Sequence, residues 1–367
     1  MSHVIKPVHL KSPPQKILVI PLRYIGDTVL SVPLLRNLRA AYPDSQLEVM
    51  ASKTAAPVLA NCPYLDGLHH EPRGLFKRLA FLRSGHYDLV ILLRKSVSMA
   101  LLCQLAGIPA VVGYDKQRYP WGFKRWALGL DGVTRYPGRG TDTAQALHHL
   151  AMLNVLGKNV QDRYLELWTT PEETQAVERL LESYGLESYR IDPERPMAVL
   201  HAVSASFGKS VEIKRFIPAL SYLLEKNYQV VLTGVAADRE IYERVLEALP
   251  QFSAIHNFAG KTTLGETVAL YRKAQLLLTV DSSPVHLGLA VGVPRIMAIY
   301  GPTNYRQWGA YDGVRPASEA PSVFLPVTAS ESEAQVPLGD YTPSTSHIDI
   351  SPRKILAALE TVLETMI

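Results

Sequence analysis

The chain has 367 residues, 47% of them apolar and 20% charged, with 18 Tyr, 8 Phe and 4 Trp. That length suits two domains with cores of their own, and the composition excludes a disordered or collagen-like chain. No apolar run reaches the ~18 residues of a membrane span, because charge, Pro or Gly interrupts each one. Charge is uneven: residues 1–150 carry 19 Lys and Arg against 9 Asp and Glu, whereas residues 151–367 carry 19 against 25. A basic half is expected to meet something anionic, with nucleic acid, an anionic membrane surface and a phosphorylated small molecule as the open classes. Solvated surface charge is the plainer explanation.

Residues 1–15, MSHVIKPVHLKSPPQ, lack a hydrophobic centre and read as a flexible tail rather than a signal peptide. From Lys16 short apolar runs alternate with helical patterns. The run KILVIPL (16–22) ends at the polar turn RYIGD, and a helix is expected over 28–42. Then come LEVMAS (47–52), a helix after Pro57, YDLVILL (87–93), a helix through 99–107 and AVVGY (110–114). Residues 114–143, rich in Gly, Pro, Arg and aromatics, read as a long functional loop. Helices follow at 145–156 and 171–185, the second with Pro171 at its first turn and Gly185 just past its end. The polar, proline-bearing stretch 187–196 reads as the interdomain linker. A second alternation then runs through strands at 197–203, 228–234, 254–260, 276–280 and 295–301, with helices at 214–226, 238–248, 264–273 and 284–291. Residues 311–350 read as irregular, and SPRKILAALETVLETMI (351–367) as a helix capped by Ser351. Buried strands alternating with amphipathic helices predict an α/β chain of two doubly wound domains facing a central cleft, 16–186 and 187–350, plus the C-terminal helix. In such sheets the loops after the strands carry function.

Several chemistries are excluded. The first loop offers only Gly26 where a dinucleotide fold needs G-x-G-x-x-G. Gly208-Lys209-Ser210 and Gly260-Lys261-Thr262 imitate a phosphate loop, but the earlier glycine it requires is Val203 in one and Ile255 in the other. No G-x-S-x-G elbow occurs. The pairs His69-His70 and His148-His149 are adjacent rather than one helical turn apart, so no metal site is expected. Cys62 and Cys103 fit neither a zinc site nor a disulfide framework, and the expected compartment is the cytosol. A nucleic-acid role is weakest, because no helix-turn-helix, zinc-finger or aromatic-basic RNA pattern is present.

Three loops carry candidate chemistry. In Arg23-Tyr24-Ile25-Gly26-Asp27-Thr28, Asp27 either caps the following helix or serves as a general base, with Gly26 letting a substrate approach the backbone. Arg23 either pairs with an anionic substrate group or neutralises Asp27. In Ser204-Ala205-Ser206-Phe207-Gly208-Lys209, the hydroxyls of Ser204 and Ser206 and the Lys209 ammonium suit phosphate, although an ordinary surface lysine reads the same way. In LLLTVDSSPVHLGLAVGVPRIMAIYGPT (276–303), a strand ends at Asp281, Ser282 and Ser283 follow, and Pro284 and His286 open a helix. The N–H groups at that helix start form an anion site. The Gly- and Pro-marked turns GVP and GPT suggest close backbone approach to a ligand.

These residues resemble glycosyltransferase family 9, the lipopolysaccharide heptosyltransferases. The resemblance runs from about Lys16 to the C-terminus and rests on IGDTVLSVPLLRNLRAAYP (25–43), the Lys209 loop, VVLTGVAADRE (230–240), FAGKTTLGETVALYRKAQLLL (258–278) and VDSSPVHLGLAVGVPRIMAIYGPTN (280–304). It implies the GT-B fold, an N-terminal acceptor domain and a C-terminal domain for a nucleotide sugar, ADP-heptose as co-substrate, and no other cofactor. It also implies a lipid A–inner-core glycolipid as anionic acceptor, a cytoplasmic enzyme in peripheral contact with the inner membrane face, and inverting, metal-independent transfer. By resemblance Asp27 corresponds to the catalytic aspartate, Arg23 and Gly26 lie on the acceptor side, and Lys209 matches the lysine on the donor phosphates. Asp281, Ser282, Ser283 and His286 fall on the Asp-Thr/Ser-Gly-x-x-His donor motif, and Asp238 or Glu240 matches the acid that holds the ribose. Three departures concern the sugar rather than the reaction: Ser283 replaces a glycine, Lys209-Ser210-Val211-Glu212 replaces Lys-x-Trp-Pro, and the late cysteines are missing from 311–350. Transfer of another sugar, or a non-catalytic bilobal nucleotide- or sugar-binding protein, are the competing readings.

Overall fold

The strand runs form two separate sheets. The computed structural model describes residues 4–115, 130–135, 141–184, 195–204, 207–247, 255–301, 303–329 and 348–365. The chain divides into unit 1, Met1–Gly138 with Thr143–Leu165, and unit 2, Arg139–Asp142 with Glu166–Ile367.

Unit 1 holds strands β1 (Val4–Lys6), β2 (Lys16–Ile20), β3 (Gln46–Ala51), β4 (Gly67–His70), β5 (Leu89–Leu92), β6 (Ala110–Asp115) and β7 (Gly132–Arg135). Its helices are α1 (Ile25–Val29), α2 (Val32–Ala41), α3 (Leu75–Gly85), α4 (Val97–Leu105) and α5 (Gln145–Val155). The sheet order is β1-β7-β6-β5-β2-β3-β4, parallel except for β1 against β7. Ile17 to Ile20 and Leu89 to Leu92 are buried, as continuous apolar strands covered on both faces should be. Leu82 of α3 and Met99, Leu102 and Cys103 of α4 close one side of this core. Both cysteines are buried free thiols.

Unit 2 holds α6 (Pro171–Glu182), β8 (Met197–His201), α7 (Ile217–Glu225), β9 (Gln229–Leu232), α8 (Arg239–Glu247), β10 (Ile255–Asn257) and α9 (Leu264–Lys273). It continues with β11 (Leu276–Val280), α10 (Ser283–Val291), β12 (Arg295–Tyr300), α11 (Tyr305–Trp308), β13 (Val323–Thr328) and α12 (Pro352–Glu364). Its sheet, β10-β9-β8-β11-β12-β13, is parallel throughout. Helix α12, N-capped by Ser351, buries Ile355, Leu359 and Val362 in this core.

Several expectations need correction. Residues 4–6 are not tail but an edge strand on β7. The helix expected at 28–42 is two helices, because Pro33 lacks an N–H and its ring clashes with the preceding turn, so α1 stops at Val29 and α2 restarts. The segment after Pro57 is one 3₁₀ turn, Ala56–Leu59. Within 114–143 lies β7, while 116–129 and 136–140 fall outside the described residues. Within 311–350 lies β13, whose Pro326 is tolerated because the strand stands at the sheet edge. The units part at Leu165/Glu166 rather than at 186/187. Helix α6, started by the Thr170–Glu173 capping box, belongs to unit 2 because it packs on α9, where Lys273 Nζ meets Glu178 Oε1 at 3.0 Å. Residues 187–194 of the expected linker lie outside the described residues.

Candidate functional site

Parallel sheets offer ligand sites where the strand order reverses, since neighbouring loops diverge there. In unit 2 the reversal falls between β8 and β11. The loop after β8 carries Ser204 to Lys209, and the loop after β11 carries Asp281 to His286. Asp281 is buried, and its N–H donates to Ile299 O at 2.9 Å. Lys209 ends the 3₁₀ turn Phe207–Lys209 and sets its Nζ 2.7 Å from Asp281 Oδ2, a charge contact without directed hydrogen-bond geometry. Ser282 is the N-cap of α10 yet makes no side-chain cap, and its Oγ turns to Val280 O at 3.4 Å. Ser283 is the first helical residue and Pro284 the second. The helix start therefore keeps its positive end for an anion beside the Lys209 ammonium.

His286 is buried in the first turns of α10. Burial depresses its pKa to about 4 against the opposing charge of Asp281, with Lys209 adding to the depression, so the imidazole is neutral near pH 7. Among the described residues its Nδ1 has no hydrogen-bond partner. The loop after β8 is closed by Ser210, the serine of the phosphate-loop imitation: Ser204 N–H donates to Ser210 Oγ at 2.8 Å, and Val211 N–H donates to Ala202 O at 3.0 Å. Ser206 lies outside the described residues. Asp238 is buried, which raises its pKa, and its Oδ2 accepts the Val235 N–H at 2.8 Å to close the turn Ala236–Asp238. Glu240 is exposed and paired with Arg244.

The glycines explain part of the motif differently from expectation. Gly292 of GVP is the left-handed C-cap of α10 (φ 76°) with Arg315 against it, so it ends a helix rather than admitting a ligand. Gly301 of GPT packs against Ile348 and the Gly208 carbonyl. In the Gly260-Lys261-Thr262 imitation, Gly260 (φ 69°) sits against the Ala236 backbone, and Lys261 bonds the Tyr184 hydroxyl.

In unit 1 the reversal falls between β2 and β5. The loop after β2 carries Arg23, Gly26 and Asp27. Gly26 is buried in α1 and Asp27 is half-buried in its first turn, while Tyr24 is the N-cap and makes no side-chain cap. Arg23 reaches Glu71 Oε1 at 3.3 Å. That carboxylate follows β4 and gathers two further guanidinium groups: Arg94, after β5, binds both its oxygens at 2.7 and 2.8 Å, and Arg78 Nε lies 3.1 Å from Oε1. Burial alone would raise the Glu71 carboxyl; the Arg94 hydrogen bonds and charge, with the charges of Arg23 and Arg78, hold it at about 2 instead. One carboxylate thus organises three cations at the carboxyl edge of the sheet, with Arg23, 57% exposed, the most open of them. The paired histidines are structural: His69 Nε2 meets Glu48 at 2.8 Å and buried His149 meets the Tyr114 hydroxyl at 2.9 Å. Among the described residues no helix is long and apolar enough to cross a membrane, and no group of three or more His, Cys, Asp or Glu could hold a metal ion.

The family model described as glycosyltransferase family 9 (heptosyltransferase) matches residues 75–320. The chain belongs to that family. Lipopolysaccharide heptosyltransferase 2 of Escherichia coli K12 is 28% identical over 379 residues, covering 95% of this chain and 98% of its own. Among solved structures, the E. coli ADP-heptose lps heptosyltransferase II matches with a TM-score of 0.69 at 25% identity, covering 95% of this chain and 98% of that one. A family 9 glycosyl transferase of Veillonella parvula matches with a TM-score of 0.75 at 22% identity, covering 96% and 98%. The enzyme is therefore a glycosyltransferase of the GT-B class, built from two doubly wound Rossmann-like domains. The Glu71, Arg78 and Arg94 cluster escaped the motif search because β4 and α3 carry no clear period; the rule that function follows strand ends would have found Arg94 after β5.

Proposed function

We propose that this enzyme transfers heptose from ADP-heptose to an anionic inner-core glycolipid of lipopolysaccharide, with inversion at the anomeric carbon. The E. coli relatives are named for ADP-heptose, lipopolysaccharide and heptosyl transfer, and the observation that carries the reading is the Lys209–Asp281 pair beside the start of α10. A diphosphate needs concentrated positive charge that is fixed before it arrives. Buried Asp281 fixes Lys209, and the helix start adds oriented N–H groups. This positive charge lets the diphosphate depart without a divalent cation.

In the transfer, Asp27 accepts the proton of the acceptor hydroxyl as that oxygen attacks the anomeric carbon. The bond from that carbon to the diphosphate oxygen breaks, and the electron pair leaves on ADP. Lys209 and the N–H groups at Ser282 and Ser283 stabilise the growing negative charge, and neutral His286 contributes at most one N–H. Arg23, held with Arg78 and Arg94 by Glu71, receives a carboxylate or phosphate of the acceptor. The protein works in the cytoplasm, on the membrane face where that acceptor is anchored.

The test is transfer from ADP-heptose to a purified inner-core acceptor, with Asp27→Ala beside the unaltered enzyme. The variant is expected to bind ADP normally while turnover falls ~10²–10⁴-fold. Unchanged turnover removes Asp27 from the chemistry, and transfer from another sugar nucleotide in preference to ADP-heptose overturns the donor. Chelation with EDTA is expected to leave the rate unchanged.

A further inference from the structure

Helix α3 buries one apolar face yet exposes two large apolar side chains in its first turn. Leu82 is buried in the unit 1 core and Leu79 and Phe81 pack against it, yet Leu75 and Phe76 stand on the outside, Phe76 at 89% exposure. Its neighbour α4 repeats the pattern: Met99, Leu102 and Cys103 face the core, while Leu101 and Leu105, one turn apart, are exposed. The two helices pack side by side, and Arg83 of α3 donates to the Leu105 carbonyl at 3.0 Å. Single exposed apolar side chains are ordinary, but the adjacent pair at the start of α3 and the pair one turn apart on the adjoining α4 leave apolar surface that folding does not cover within this unit. The charges carried by the two helices themselves are all basic, and Glu71, just before α3, is buried against Arg78 and Arg94. Residues 72–87 contain Arg73, Lys77, Arg78 and Arg83 and no Asp or Glu, and α4 is uncharged along its length.

We infer that the outer faces of α3 and α4 dock the enzyme on an anionic lipid bilayer, with Leu75 and Phe76 entering the headgroup–acyl boundary and Lys77 meeting lipid phosphates. Protruding aliphatic and aromatic side chains beside cations, with no acid among them, match an interface whose depth is apolar and whose surface is negative. The alternative, a protein partner, fits less well: interface cores are depleted in Lys, and the patch is two convex helix faces rather than a groove. The inference deepens the proposed function, since it rests on a lipid-anchored acceptor, but it concerns a surface that takes no part in the chemistry.

The full-length enzyme is mixed with vesicles of phosphatidylcholine alone and of phosphatidylethanolamine with phosphatidylglycerol, and bound protein is measured by flotation. Binding is expected only to the anionic vesicles and is expected to weaken as salt rises. Leu75→Ser with Phe76→Ser should weaken it at least about tenfold. Lys77→Glu should weaken it too, and none of these variants should change turnover of a lipid-free acceptor glycan. Absence of vesicle binding, binding untouched by the substitutions, or self-association in sedimentation that the same substitutions abolish would overturn the inference. Failure of the proposed reaction looks different: vesicle binding persists while the lipid-free glycan receives no heptose.

Discussion

Glu71→Gln tests whether one buried carboxylate organises the unit 1 cations. The side chain is 7% exposed and its carboxyl is lowered from the ordinary 4.5 to about 2, an interval worth about 3 kcal/mol of folding stability. The sign follows from where the proton goes. The unfolded carboxyl protonates near pH 4.5 and the folded one near 2, so the stabilisation is complete above about pH 4.5 and is lost as pH falls towards 2. Glutamine keeps the shape and one acceptor oxygen but no charge. Urea unfolding of the two proteins from pH 7 to pH 2.5 should therefore show the variant less stable by about 2–3 kcal/mol at neutral pH, with the gap closing through the acid range. In the transfer assay the same variant should raise the acceptor KM about tenfold, as when a charged contact is lost, and leave the ADP-heptose KM alone. A stability gap that is flat from pH 7 to 2.5, or equal effects on both KM values, would refute the argument.

Lys209→Ala should weaken ADP binding by roughly 10–100-fold in calorimetry, the range for a charge-assisted hydrogen bond, whereas Lys261→Ala should leave it unchanged because Lys261 is engaged with Tyr184. His286, with a pKa of about 4, should titrate below pH 5 by NMR and add no inflection to kcat/KM between pH 5 and 8; a step near 6.5 lost in His286→Gln would contradict this. Gly260→Ala should lower stability by more than ~1 kcal/mol, seen as a drop in Tm, because the position needs φ 69° and a Cβ there would come within 2.5 Å of Ala236 Cα.

The central strands and the motif loops were legible because each is a continuous buried apolar run followed by polar residues, as at Leu276–Val280 and Asp281. The edges were not. Strand β4, Gly67–His70, is short and carries two histidines, β13 contains Pro326, and β1 lies beyond two consecutive prolines, so none shows the apolar run that marks an interior strand. Helix α3 lacked a signal for another reason: Leu75 and Phe76 are exposed while Arg78 is half-buried, so its apolar and charged residues do not separate by face. The expected boundary rested on the composition shift at 187–196, whereas membership of a unit is decided by packing, and α6 packs on α9. Among the candidate site residues, Lys209, Asp281 and His286 stand out in the sequence by their place in a motif. Glu71 and Arg94 are 23 positions apart and belong to no motif; only the folding of β4 and β5 into one sheet brings them within 2.7 Å.

Each unit uses the same device, a buried carboxylate at the carboxyl edge of a parallel sheet that holds cations in place, but the charge balance differs. In unit 2 one Asp281 answers one Lys209, so the pair carries no net charge and the excess positive charge is that of the α10 start. What a diphosphate gains is set by geometry: the fixed ammonium and the oriented N–H groups of α10 favour a ligand whose anionic oxygens match both. In unit 1 one Glu71 answers three arginines, leaving two positive charges in surplus beside an open Arg23. A surplus attracts any anion over a Debye length of ~10 Å at 0.1 M salt, with little regard to shape. Under the proposed function, capture of a large anionic acceptor would fall to unit 1 and discrimination among nucleotide sugars to unit 2. The excess of basic residues before residue 150 adds to that attraction for an anion.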